Sequence, residues 1–148
     1  MSLQEQVQEE TKAAMRARDK ARVGTLRMLS SALQDAEIAQ GGDLSEADEL
    51  AVVQKLIKQR RDAVEQYRAG GREEQAAAEE TEVGVLQELL PASMSAEDVN
   101  EAIDAAITEV GAQSPQDMGK VMGLLKERLQ GRADMGQVSQ QVKERLAS

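Results

Sequence analysis

The residues in this chain whose types and spacing could do chemistry are cations. Lys12, Arg16, Arg18, Lys20, Arg22 and Arg27 fall within sixteen residues, with Asp19 as the only acid among them, a local excess of five positive charges. Cations this close together sustain an attractive field within a Debye length, about 8 Å at physiological salt, which suits phosphates or an acidic partner. A second basic run, Lys55, Lys58, Arg60 and Arg61, lies in K-L-I-K-Q-R-R. Farther along, Lys120 and Arg132 stand near the two ends of a predicted helix. If those ends converge, the two cations and the helix's first backbone N–H groups make a phosphate-sized anion site. The competing reading is that these are solvated helix faces paired with acids of a neighbouring helix. Glu73, Glu74, Glu79, Glu80, Glu82 and Glu88, in a stretch with no cation after Arg72, could supply those acids.

Other chemistries have little to work with. Histidine and cysteine are both absent, which removes the usual acid or base near neutral pH, thiolate chemistry and the commonest metal ligands. The paired acids Glu9-Glu10, Glu73-Glu74 and Glu79-Glu80 point about 100° apart on a helix rather than toward one ion. Ser30-Ser31 lies mid-helix with no glycine-rich loop or nearby lysine to activate it. No P-loop or dinucleotide fingerprint is present. The chain is therefore expected to be non-catalytic, with no catalytic residue, no cofactor and no metal site.

The elements that must position these cations are helices. The 148 residues carry one Tyr, no Phe and no Trp, so any core is aliphatic, and the abundance of Ala, Leu, Glu, Gln, Arg and Lys favours an all-α fold. Ser2 and Glu5 have capping-box spacing ahead of a first helix to about residue 17 with Leu3, Val7, Thr11, Ala14 and Met15 on one face. Asp19 starts a second, carrying Val23, Leu26, Leu29, Leu33 and Ala36 to Gly41-Gly42. Ser45 with Asp48 starts a third, with Val53, Leu56, Ile57, Val64 and Tyr67 ahead of Gly70-Gly71, and a fourth runs from Arg72 through Val83 and Leu86. Pro91-Ala92-Ser93 interrupts the pattern. The expected organisation is an N-terminal four-helix domain, residues 1–90, a linker at about 91–93, and a small C-terminal three-helix tail, residues 94–148.

In that tail, Ser95 with Asp98 opens a fifth helix bearing Val99, Ile103 and Ala106 and closed by Gly111. The sixth follows Ser114, Pro115 and Asp117, repeats Met118, Val121, Met122, Leu125 and Leu129 at helical spacing, and leaves at Gly131. Asp134 caps a seventh with Met135, Val138, Val142 and Leu146. Gly119 and Gly123 break a rule, since interior glycine costs a helix about 1 kcal/mol relative to Ala. Their spacing by four suggests close packing of a helix or ligand backbone against one face.

A formal net charge of −9 opposes indiscriminate coating of nucleic acid, and no DNA partner is expected. No apolar run approaches the roughly 20 residues that span a bilayer, and the N-terminus is amphipathic and glutamate-rich rather than signal-like. Those features predict a cytoplasmic protein without a membrane partner.

The run M-G-K-V-M-G-L-L-K-E-R-L-Q-G-R-A-D, Met118 to Asp134, resembles the G-K-V-M-G … G-R-A-D signature of the YqeY-like family, which is similar to the C-terminal tail of the GatB subunit of tRNA-dependent amidotransferases. Further marks are T-L-R-M-L at Thr25 to Leu29, I-K-Q-R-R-D-A at Ile57 to Ala63, A-G-G-R at Ala69 to Arg72 and L-L-P at Leu89 to Pro91. Leu89 departs from the family's more usual tyrosine. The resemblance covers the whole chain and implies an all-helical protein with a larger N-terminal domain and a small tail. It also implies kinship to carbon-nitrogen ligase activity with glutamine as amide donor, although the amidase and ATP-using parts of such an enzyme are absent. Two functions follow. One is a tRNA-binding accessory module using all three basic groups, with a protein partner in tRNA metabolism; the other is a helical protein-protein adaptor without RNA binding.

Overall fold

A computed structural model describes residues 2–147. The expectation of an all-α protein holds: the described residues form α1 (Leu3–Arg16), α2 (Lys20–Gln40), α3 (Glu46–Ala69), α4 (Glu73–Gln87), α5 (Ala96–Val110), a 3-10 turn (Pro115–Asp117), α6 (Met118–Leu129) and α7 (Met135–Ala147), with no strand among them. Residues 1 and 148, included in the boundaries drawn from the sequence, lie outside the described residues.

Local chemistry sets the helix ends. The hydroxyls of Ser2, Ser45 and Ser95 accept the N–H groups of Glu5, Asp48 and Asp98 at 3.1–3.2 Å, and Asp19 accepts that of Arg22 at 3.1 Å. Each such cap stabilises its helix by about 1 kcal/mol. Asp134 caps α7 by taking the N–H groups of Gly136 at 2.9 Å and Gln137 at 3.3 Å. Gly41, Gly111 and Gly131 carry the chain out of α2, α5 and α6 at φ 80°, 66° and 87°, a conformation that costs glycine little.

The chain divides into two compact units that part between Leu90 and Pro91. In the first, α3 and α4 form an extensive hairpin, α1 pairs with α2, and α2 packs on both hairpin helices. Val7, Leu26, Leu29, Leu33, Val53 and Leu86 are fully buried there. Met15 departs from the expected apolar face and is 52% exposed, because Ala14, about 100° away around α1, takes the inward position. Glu49, in the acidic first turn of α3, is only 8% exposed.

In the second unit α6 lies against α5 and α7, around Ile103, Val121, Leu125, Leu129, Val138 and Val142. The segment entering this unit is hydrogen-bonded to it: Met94 donates its N–H to the Arg132 carbonyl at 2.9 Å, and Arg132 Nε donates to the Ala92 carbonyl at 3.2 Å. Gly119 and Gly123 require a correction. A Cβ at either would meet no atom of the described residues within 4 Å, so packing among those residues does not account for them. The core stripe of α6 occupies the other face, through Val121, Leu125 and Leu129, and leaves both glycines exposed.

Candidate nucleic-acid interface

The first basic group is built by the α1–α2 turn. After Arg16, Arg18 takes the left-handed conformation, φ 59°. Asp19 N–H donates to the Ala14 carbonyl at 3.0 Å and Arg18 N–H to the Met15 carbonyl at 3.1 Å, the paired bonds of a Schellman closure. Asp19 then spends its carboxylate on the start of α2. Arg16, Arg18, Lys20 and Arg27 all stand exposed. Arg27 reaches back to the Met15 sulfur at 3.8 Å, and Arg16 Nε donates to the Lys12 carbonyl at 3.4 Å. Among the described residues, none of these four cations has an acid within 4.0 Å.

Three predicted contact residues are engaged elsewhere. Arg22 lies between Glu88, at 2.8 Å, and Glu10, at 4.0 Å. Arg60 is turned inward, its Nε 3.3 Å from Glu82 and its guanidinium against the sulfur of Met28. Lys12 pairs with Glu9 at 3.8 Å in solvent, a contact that adds little. Glu88, just past the end of α4, and Glu82 within it thus neutralise Arg22 and Arg60 while leaving Arg16, Arg18, Lys20 and Arg27 unpaired among the described residues. Burial raises the Glu79 carboxyl above its ordinary range, the neighbouring Glu82 adds to the rise, and Arg60 opposes it. Arg68, missed by the sequence reading, closes the α3–α4 hairpin on Glu80 at 2.6 Å and Glu73 at 3.6 Å. Its spacing to Glu73 across Gly70-Gly71 was the available signal.

On α3, Lys55, Lys58 and Arg61 are exposed without an acidic partner among the described residues. Spacing by three keeps them in one strip of the helix surface.

In the second unit the expected convergence of Lys120 and Arg132 does not occur. Lys120 lies near the start of α6 and Arg132 beyond its end, so about 14 Å of helix from Lys120 to Leu129 separates them. The entrance is also occupied by the chain's own acid: Asp117 accepts the N–H groups of Gln113 at 2.9 Å and Ser114 at 3.3 Å. These bonds, the Gln113 one foremost, hold the Asp117 carboxyl below its ordinary range, and Lys120 adds to the effect. Arg132 is committed through both carbonyl and Nε to the 92–94 segment. Lys120 remains exposed.

No group of three or more acids that could hold a metal ion is found among the described residues, and the exposed cations are best suited to contact with an anionic surface. This is an all-α protein of two helical units bearing basic helix surfaces. The chain belongs to the YqeY-like family: the family model described as Yqey-like protein matches residues 4–146. It is similar to "Altered inheritance of mitochondria protein 41, mitochondrial" of Lachancea thermotolerans, 32% identical over 74% of this chain and 60% of that protein. The protein of the same name from Saccharomyces cerevisiae strain YJM789 is 31% identical over 76% of this chain and 64% of its own length. An uncharacterised protein of Schizosaccharomyces pombe is 30% identical over 61% of this chain and 73% of its own. The chain thus spans less than two thirds of the first two relatives.

Those names overturn the expectation of a cytoplasmic protein, because both describe mitochondrial proteins. The physical reason for the error is plain: lack of cysteine and of an apolar span does not distinguish one aqueous compartment from another. Among the described residues no helix is long and apolar enough to cross a membrane.

Proposed function

We propose that this protein is a non-catalytic tRNA-binding module whose principal contact surface is the α1–α2 turn. One observation carries the reading: in a chain of net charge −9, Arg16, Arg18, Lys20 and Arg27 stand together in solvent with no acid paired to them among the described residues. An acidic protein that keeps an uncompensated basic surface attracts polyanions locally while its remaining charge discourages indiscriminate coating. Lys55, Lys58 and Arg61 add exposed cations on α3 of the same unit, and Lys120 supplies a cation in the second. Tyr67 is the sole aromatic residue, so recognition is of phosphate and shape rather than stacked bases. The similarity of the Gly119 to Asp134 motif to the amidotransferase tail supports tRNA as the RNA; amide transfer itself is no part of the proposal.

Charge reversal tests it. Arg16→Glu with Lys20→Glu should abolish retention of tRNA at physiological salt while helix content and melting stay near wild type. Unchanged retention would remove the turn from the interface. The adaptor reading has one observation of its own, Ile38 at 79% exposure on α2; a single isoleucine is too small a patch to specify a protein partner.

A further inference from the structure

Arg18 occupies a position made for glycine. In the closure that ends α1, the residue after the cap must adopt positive φ; glycine does so freely, whereas a side chain with a Cβ is strained there. Here the residue is arginine at φ 59°, and it is the one non-glycine residue with positive φ among the described residues. The chain uses glycine at φ 80°, 73°, 66° and 87° at Gly41, Gly71, Gly111 and Gly131. The Arg18 side chain returns nothing to the fold that would offset the strain: it is exposed, with no ion pair and no side-chain hydrogen bond among the described residues. Its backbone bond to Met15 would be equally available to glycine.

We propose that Arg18 is the anchoring phosphodiester contact of the α1–α2 surface, a guanidinium presented to RNA at a cost in fold stability. This rests on the RNA-binding reading above and adds which residue dominates it. The chemistry fits the placement. A guanidinium offers five N–H donors in a planar fork that matches two phosphate oxygens, and the side chain stands exposed at the turn between the two helices. Arg16 and Lys20 flank it in sequence, and the Arg27 guanidinium reaches back to the sulfur of Met15, three residues before Arg18, at 3.8 Å, so other cations adjoin a phosphate seated on Arg18. The nearest acid in sequence, Asp19, is held to the Arg22 N–H at 3.1 Å as the α2 cap.

The strain makes a paired test possible, because fold and binding should move in opposite directions. Arg18→Gly relieves the turn and should raise the melting temperature by about 4 °C. The same variant should bind tRNA about tenfold more weakly at about 50 mM salt, with the salt slope reduced by about one. Arg16→Ala, which removes a cation from an ordinary helical position, should lose less affinity and gain no stability. A lowered melting temperature for Arg18→Gly, or an affinity loss no greater than that of Arg16→Ala, overturns the assignment of Arg18 while leaving the wider surface standing. Failure of the wild-type protein to bind tRNA in the same titration overturns the RNA reading itself. Arg18→Asn gives a second measurement, since asparagine tolerates the left-handed region and should reproduce the loss of binding.

Discussion

Arg60 of α3 and Glu82 of α4 form an ion pair at 3.3 Å with the arginine side chain only 18% exposed, and the same guanidinium touches the Met28 sulfur of α2. One side chain therefore ties three helices of the first unit together. Its Nε is close to the carboxylate but not aligned as a hydrogen bond, so the contact is chiefly electrostatic. Removing the cation leaves Glu82 beside Glu79, whose carboxyl is already raised by burial. Arg60→Ala should destabilise the first unit by about 2 kcal/mol in urea unfolding. Because Arg60 points inward, Arg60→Met should leave the salt slope of RNA binding unchanged; a drop of one would return Arg60 to the contact surface.

Glu49 predicts a pH effect of a particular sign. Burial raises its carboxyl above the ordinary 4.5, and the like charges of Glu37 and Glu46 add to the rise, although the backbone N–H groups of Leu3 and Gln4 oppose it. The native state thus binds this proton more readily than the unfolded chain. Its stabilising contribution is complete below about 4.5 and is lost as pH rises through the raised value. Thermal melts of wild type and Glu49→Gln from pH 4.5 upward should show the variant gaining on wild type as pH rises. A difference independent of pH would contradict that.

Gly119 and Gly123 offer a stability gain. Gly123 is interior to α6 and Gly119 lies in its first turn, both with open space where a Cβ would sit, and Ala is preferred over Gly by about 1 kcal/mol in a helix interior, less near an end. The double Ala variant should unfold at higher denaturant. Gly131→Ala should do the reverse, since φ is 87° there.

The ends of the helices were legible in the sequence because caps are local. Ser2, Asp19, Ser45, Ser95 and Asp134 bind within their own next three residues, and Gly41, Gly111 and Gly131 act where they stand. Apolar spacing likewise identified Leu26, Leu29 and Leu33, or Val121, Leu125 and Leu129, as inward faces. What spacing could not reveal was which polar residue meets which helix. Arg22 and Arg60 are withdrawn from solvent by Glu88 and Glu82 more than twenty residues away, and Lys120 and Arg132 are held apart by the helix between them. Arg18 looked like one more cation in a run because nothing in its neighbours announces positive φ.

Arg132 is better read as a clasp than as a phosphate contact, and hydrogen exchange can check it. With the Arg132 side chain gone, the bond to the Ala92 carbonyl is lost, and the adjoining Met94 N–H, bonded to the Arg132 carbonyl, is less well held. Arg132→Ala should speed exchange at Met94 several-fold while exchange at buried Leu125 is unchanged.

The central claim is that the α1–α2 turn is a polyanion surface selective for folded RNA, and a tRNA titration at several salt concentrations tests it most directly. With Arg16, Arg18, Lys20 and Arg27 all in contact, affinity should fall with salt at a logarithmic slope of about three, and a non-tRNA duplex of equal length should bind more weakly. No binding at low salt, or equal binding of tRNA and duplex, would contradict the account.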